Sequence, residues 1–548
     1  MLAESLVLYG LGAGAAALSL PALKARLELS RAKHPSLAGH ARLARRIAAL
    51  VPGYAYGEDR FFRSDGAPDE VEARRRAGFA RLSALLHQRS PHTLALTEEA
   101  REALSDLQFT SAYRVPFQYS AYVRKHLPLG AFVECSSGTQ LTDLDGNRFY
   151  DLGGSYGVNV FGYEFYKSCM AEGLARAGAL GPVLGAYHPA VAYNVRRLKE
   201  ISGLDEVSFH MSGTEAVMQA VRLARYHTRR SHLVRFCGAY HGWWEDVQPG
   251  PGNPAPVRNT YTLKDMDEDS LRVLARRRDI ACVLVNPLQA LHPNRSAPGD
   301  GALVDSGRSA HFDRAAYAEW LQKLRKVCSE RGIVLVFDEI LVGFRLAPGG
   351  AQEYFGVRAD MVTYGKTVAG GFPVGVLCGR RELMRRFDEA RPADICFARG
   401  TFNSHPYVMT SMQVFLERLP ALGHVYEGLE ERWNARAARL NRALEAENLP
   451  VRVANLSTVW TVCYTRPSRY NWMLQYYLRA QGLALSWVGT GRFIFSLELG
   501  DADFEAIAER FLAACLAMDH DGWWWSDPAL TNKAIRRGIL REMIAQRF

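Results

Sequence analysis

Lys366 stands in the run TYGKTVAGGFPVG, residues 363–375, among glycines and apolar residues with no acid in the run to pair it. A lysine drawn into such surroundings loses hydration, so its ammonium form is disfavoured. A desolvated lysine is a good amine nucleophile, and Schiff-base chemistry is the commonest use of one. The competing reading is a surface lysine that snorkels out of a loop. The stretch by itself does not separate the two.

Three other stretches bear on the choice. GIVLVFDEILVGFR, residues 332–345, is an apolar strand ending in Asp338 and Glu339, with Asp338 placed 28 positions before Lys366. Ligands of open α/β sheets sit at the carboxyl ends of strands. A carboxylate there can hold a pyridinium nitrogen protonated and make the ring an electron sink, although Asp after a strand also serves as a helix cap. EVSFHMSGTEAVMQAVRLARYH, residues 206–227, runs a strand into Ser212, Gly213 and Thr214 and then a helix. Free N–H groups at such a helix start make a phosphate cradle, yet Ser-Gly-Thr also caps helices that bind nothing. In HLVRFCGAYHGWW, residues 232–244, Tyr240 follows another strand, where its ring could stack on a flat cofactor. An amine, a carboxylate, a phosphate cradle and a stacking ring together describe pyridoxal 5′-phosphate.

These residues need a frame to bring them together. Between about 161 and 383, helical patterns alternate with short runs such as EVSFHM, HLVRFCG, IACVLVN, GIVLVFDE and DMVTYG. Apolar strands alternating with helices predict an α/β domain with a mainly parallel sheet. TQLTDLDGNRFYDLGG, from Thr139, predicts a hairpin about its DGN turn. From about 400 the pattern changes to a helix, then the strands VWTVCYT and GRFIFSLE, then helices, which reads as a smaller α+β domain. The expected organisation is an apolar segment over 1–25, a helical accessory extension over 26–107, and the first part of the small domain with the dimer region over 108–165. A large cofactor-binding domain over 166–395, a C-terminal small domain over 396–520 and a Trp-rich basic tail over 521–548 follow.

The stretches TDLDGNRFYDLGGSYG, MSGTEAVMQAVRLAR, GAYHGWWED, the whole of 336–383 and RGTFNSHPYVM carry a resemblance. The chain resembles the class III aminotransferases of fold type I, most closely their glutamate-1-semialdehyde 2,1-aminomutase branch, over roughly 111–519. That likeness implies that Lys366 carries the cofactor, that Asp338 faces its pyridine nitrogen, that Gly213 and Thr214, beside Ser212, hold the phosphate, and that Tyr240 covers the cofactor's ring. It also implies that Thr401 reaches the phosphate across a homodimer interface. Ser155 and Tyr156 would line the substrate side, and Arg114 would meet a substrate carboxylate. Where the family has Glu-Pro-Val, this chain has Asn286-Pro287-Leu288, and where the family has Gly-Asn-Pro it has Ser404-His405-Pro406. With the substrate side altered, the expected activity is transfer of an amino group from a donor to an aldehyde or ketone acceptor, by ping-pong alternation. The rival readings are an aminomutase, a pyridoxal enzyme that makes or breaks carbon–carbon bonds, and a non-catalytic membrane scaffold.

Bulk properties narrow the field further. A length of 548 residues calls for two or three domains. The net charge of +10 is dispersed, and the RRR runs at 74–76 and 276–278 lack interleaved aromatics, so they read as solvated helix faces rather than a nucleic-acid stripe. The nine cysteines fall singly, with no CxxC pair and no HExxH, which argues against disulfides and zinc. Residues 6–23 form an 18-residue uncharged run followed by Lys24, Arg26, Arg31 and Lys33. That pattern predicts an N-terminal membrane anchor with the protein on the cytoplasmic side. Trp523, Trp524 and Trp525 before a basic amphipathic helix predict a second lipid contact, with packing against the protein's own body as the alternative.

Overall fold

The structure, a computed structural model, describes residues 21–547 apart from 108–112, 254, 256–257, 293, 295–309 and 486–491. Most of the apolar run 6–23 therefore lies outside the described residues. Among the described residues no helix is long and apolar enough to cross a membrane.

A short antiparallel unit comes first: β1 (Cys135–Ser137), β2 (Gln140–Thr142) and β3 (Arg148–Asp151), with β2 and β3 joined through the expected turn. The large sheet follows, built from β4 (Glu206–His210), β5 (His232–Phe236), β6 (Thr260–Leu263), β7 (Ile280–Val285), β8 (Val334–Asp338), β9 (Met361–Gly365) and β10 (Gly375–Gly379). Its order is β4-β10-β9-β8-β7-β5-β6. β7 to β10 are buried along their whole length, as strands covered by helices on both faces must be, and that is why they read as unbroken apolar runs. Neighbours from β6 to β9 run parallel, whereas β10 is antiparallel to both β9 and β4. Residues 366–374 between β9 and β10 are too few for a crossover helix. The chain can only turn back, and Lys366 sits at that reversal.

A small hairpin, β11 (Phe387–Asp388) with β12 (Arg391–Ile395), precedes the C-terminal part. There β13 (Val451–Leu456), β14 (Val459–Tyr464) and β16 (Arg492–Ile494) form an antiparallel sheet, while β15 (Leu483–Ala484) adds in parallel to β3. The segment around 135–151 is thus stitched to the C-terminal strands, far away in sequence.

The N-terminal extension and the tail correct two expectations. Trp523 and Trp524 are not displayed to a lipid interface. Both are buried, donating their indole N–H groups to Tyr477 Oη at 2.8 Å and Asn471 Oδ1 at 3.1 Å. Phe61, Phe62 and Phe79 of the extension pack their rings around Trp523. Arg75, the middle arginine of the 74–76 run, is not solvated either. It is fully buried, paired with Asp65 at 2.7 Å and donating to Gly522 O at 2.9 Å. An indole has a large apolar area to bury, and the three rings of the extension cover that of Trp523. Trp523→Ala is expected to destabilise the protein by about 3–5 kcal/mol, the usual cost of truncating a buried aromatic. Denaturant melts of the two proteins measure it.

Candidate active site

Asp338 ends β8 and is buried. Its Oδ2 lies 2.8 Å from His241 Nδ1, and its Oδ1 accepts the Ile340 N–H at 3.2 Å. His241 is itself buried, and burial pushes its imidazole below the ordinary value in spite of the carboxylate. A neutral ring facing a carboxylate must place its proton on Nδ1, so Nε2 carries the lone pair. That Nε2 has no hydrogen-bond partner among the described residues. His241 follows Tyr240 in sequence and was not singled out by the sequence. Its signal there was only its position after a strand end.

Lys366 follows β9 directly and adopts φ 51°, a left-handed conformation that costs a non-glycine residue about 1–2 kcal/mol. Its Nζ donates to the carbonyl of Tyr156. Burial, and after it the charge of Arg345, push the amine down to about 8, with Asp338 pulling the other way and Arg492 adding to the depression. The snorkelling alternative is therefore not what the fold selects.

Tyr156 and Ser155 sit at φ 56° and 45° in the turn that receives Lys366. Asp151 Oδ2 accepts the Ser155 N–H at 2.9 Å, and Ser155 Oγ lies 2.6 Å from Tyr163 Oη. The hydroxyl of Ser155 is thus engaged within its own turn, whereas the ring of Tyr156 is 45% exposed. Two consecutive left-handed residues persist only where their surroundings over-determine them, a common mark of functional sites.

Ser212 caps the helix Gly213–Thr228 by accepting the Glu215 N–H at 3.2 Å. The N–H groups of Gly213 and Thr214 are the ones a helix start leaves without an intrahelical acceptor. A Cβ on Gly213 would come 2.4 Å from Ile340 Cδ1, and one on Gly242 would come 2.5 Å from Thr214 Oγ1. Both glycines allow close approach: the helix start lies against the turn that follows Asp338 and against the turn that carries Tyr240 and His241. The Tyr240 ring is 62% exposed, and its backbone carbonyl accepts from Asn286 Nδ2 at 3.1 Å. The departure at Asn286 thus has a structural use, since it braces the loop bearing Tyr240.

Glu339, next to Asp338, does other work. It is buried and accepts the N–H groups of Ala351 and Gln352 at 2.6 and 3.2 Å, while burial pushes its carboxyl up to about 8. Arg345, fully buried, was likewise not singled out. Two expected site residues lie outside this cluster within one chain. Thr401 is exposed in the turn 401–404, and the Arg114 carbonyl accepts from Gln475 Nε2 at 3.1 Å, which ties it to the C-terminal part. Among the described residues no group of three or more His, Cys, Asp or Glu side chains could hold a metal ion.

The donor set suits pyridoxal phosphate: a depressed amine, a buried carboxylate steadied by a neutral histidine, and a glycine-lined helix start with two N–H groups to give. A family model described as aminotransferase class-III matches residues 121–246 and 303–515. Over 368 residues the chain is 34% identical to the glutamate-1-semialdehyde 2,1-aminomutase of Methanothermobacter thermautotrophicus, spanning 64% of this chain and 81% of that protein. It is 31% identical over 358 residues to the protein of the same name from Geotalea daltonii, spanning 62% and 78%. A solved transaminase structure with PLP bound matches with a TM-score of 0.64 and 26% identity, covering 78% of this chain and 98% of that one. A glutamate-1-semialdehyde aminomutase structure from Pseudomonas aeruginosa shares the fold with a TM-score of 0.66 at 18% identity, covering 81% and 99%. The family match embraces every strand of the large sheet except β6 and β7, along with the turns that carry the cluster. The chain therefore belongs to the class III aminotransferases and is a fold type I enzyme dependent on pyridoxal phosphate.

Proposed function

We propose that this enzyme moves an amino group from an amino donor to a separate aldehyde or ketone acceptor. The observation that carries the reading is the convergence of the Lys366 amine, the Asp338–His241 pair and the start of helix Gly213–Thr228 at one sheet edge. Pyridoxal phosphate, when bound, supplies an aldehyde that condenses with amines and a ring that takes up the electron pair of a breaking C–H bond. In this reading Gly213 and Thr214 hold the phosphate through their N–H groups, with Ser212 shaping the turn, and Tyr240 covers the ring. Asp338, oriented by His241, keeps the proton on the pyridine nitrogen. Lys366 would hold the cofactor through its amine, and that amine, when free, would be the group placed to take up and return the proton of the donor's α-carbon. Ser155 and Tyr156 border the substrate, and Arg114 is the candidate for a substrate carboxylate.

An absorption spectrum of the purified protein, before and after adding glutamate, alanine or a long-chain amine, tests the reading. A band near the visible edge that one donor bleaches, and that an added keto acid restores, supports it. The second reading, an aminomutase, rests on the names of the relatives. It predicts rearrangement within one molecule and no net transfer to a separate keto acid. The stretch VQPGPGNPAP, residues 247–256, lacks the glycine- and serine-rich character of the aminomutase's mobile loop, which favours transfer.

The same reading makes the enzyme a homodimer in which Thr401 completes the partner's phosphate site. Ile395, Phe397 and Phe402 are 57, 70 and 53% exposed around Thr401, a density of bare apolar side chains that usually marks an interface. Light scattering after size exclusion is expected to return twice the 61.1 kDa of one chain, and Phe397→Asp is expected to shift the mass toward one. For the acceptor we infer a hydrophobic, long-chain carbonyl compound met at a membrane, supported by the uncharged run 6–23. The full chain is expected to float with vesicles containing anionic lipid and the chain lacking residues 1–20 to remain behind. Equal flotation, or none, would end this part of the reading.

A further inference from the structure

The Arg345 guanidinium is fully buried and spends its donors on neutral acceptors: Nη1 on Thr458 Oγ1 at 2.9 Å and Phe495 O at 2.5 Å, and Nη2 on Gly157 O at 3.2 Å. None of these is a carboxylate. Burying a cation without a counter-ion is costly, and burial pushes Arg345 itself down to about 10. A cross-link between the same three segments would be made more cheaply by a neutral amide. The charge therefore calls for a reason.

The turn that Arg345 holds is the turn that Lys366 touches. Arg345 donates to the carbonyl of Gly157 and Lys366 to the carbonyl of Tyr156, its immediate neighbour. A Cβ placed on Gly157 would stand 3.6 Å from Lys366 Nζ. Two cationic groups thus meet adjacent carbonyls of one turn, Arg345 fully buried and Lys366 partly so, and like charges repel more strongly across such a low-dielectric region than in bulk water.

We propose that Arg345 is the positioning residue of this site: its buried charge, set on the carbonyl next to the one that Lys366 holds, disfavours a second cation there and so enlarges the neutral, nucleophilic fraction of the Lys366 amine. The charged and titratable groups around Lys366 sort clearly. Arg345, from the turn after β8, and Arg492, from β16, disfavour a second cation, Asp338 at the end of β8 favours it, and Tyr156 presents a phenol that burial pushes up and keeps neutral. Tyr166 and Tyr426 face Arg345, and both phenols are raised and uncharged. Arg345 is the largest charge acting on the amine, second only to burial. The inference extends the reading of Lys366 as the cofactor lysine, but its test needs neither cofactor nor turnover.

The test is a pH profile of amine labelling on the full-length, cofactor-free protein. Reductive methylation with formaldehyde and cyanoborohydride is quenched at short times, and labelling at Lys366 is read by mass spectrometry of its peptide. The unprotonated amine reacts, so labelling rises as pH climbs through the amine's midpoint. The wild-type midpoint is expected near 8, well under the ordinary 10.5. Arg345→Met removes the charge and is expected to move the midpoint up by about one pH unit. That cuts the neutral fraction at pH 7 about tenfold. Arg345→Gln, which keeps a donor for the carbonyls, is expected to shift it equally, because charge and not hydrogen bonding is at issue. An unshifted midpoint in either variant, with a melting transition that shows it folded, overturns the proposal. If neither variant folds, the wild-type profile can still refute the proposal: a midpoint at 10 or above shows an amine on which no neighbouring charge acts. A wild-type enzyme that transfers no amino group to any keto acid, while the variants show the expected labelling shift, would instead count against the functional reading alone.

Discussion

Lys366→Ala is expected to leave a folded protein that no longer holds pyridoxal phosphate covalently and turns over at least 10²–10⁴-fold more slowly, the range supplied by a positioned general base alone. The fold should survive because Lys366 contributes little to packing. It lies at a strand end in a left-handed conformation, with its amine directed to one carbonyl. Alanine keeps the backbone strain and removes the amine with the methylenes that carry it. Borohydride reduction followed by intact-mass measurement checks the first part: wild type should gain the mass of the reduced cofactor and the variant should not. Added methylamine should restore part of the lost rate, since a small free amine can carry the proton. Retention of more than about one hundredth of the wild-type rate without added amine would mean that another group moves the proton, and that Lys366 has only an anchoring role.

Asp338→Asn separates capture of the cofactor from its activation. The carboxamide matches the carboxylate in shape, and its oxygen can still accept from His241 Nδ1. It cannot hold a pyridinium proton. Turnover is expected to fall about 10²–10³-fold, the scale for removing one preorganised electrostatic partner of a developing charge. Covalent capture should persist, because Asp338 is the group that raises the Lys366 amine and its neutralisation makes that amine more nucleophilic. Single-turnover bleaching with a good donor, set beside the extent of borohydride trapping, reads the two effects separately. If turnover stays within tenfold of wild type, Asp338 is only a strand-end cap that holds His241 and the Ile340 N–H.

Lys366 and Asp338 could be found from sequence because each follows an apolar run that only a buried strand explains, and strand ends are where α/β sheets place ligands. β8 and β9 announced themselves by five consecutive buried residues. β6 and β10 did not. β6 is the short, half-polar TYTL at the sheet edge, and β10 is GVLCG, five residues framed by glycines that read as the end of a flexible loop. What makes GVLCG a strand is two ready partners, β4 and β9, each offering unpaired backbone groups. Local propensity carries no trace of that.

The tail shows the same limit from the other side. Trp523 and Trp524 beside a basic amphipathic helix have the composition of a lipid contact, and composition cannot distinguish a membrane from a neighbouring segment more than 400 residues away in the chain. The structure places Phe61, Phe62 and Phe79 there and buries both indoles.

By itself the sequence determined the alternating α/β plan and the cofactor class, and it put forward the lysine, the carboxylate and the capped helix start as candidates, all of which depend on local pattern and fixed spacing. Only the tertiary structure decided that His241 orients Asp338, that the strained Ser155–Tyr156 turn receives the lysine, and that Arg345 lies buried beside it. Those three relations join residues 97, 210 and 188 positions apart. The energies that matter in them, desolvation and charge at short range in a low dielectric, are set by who is packed beside whom, which no stretch of sequence records.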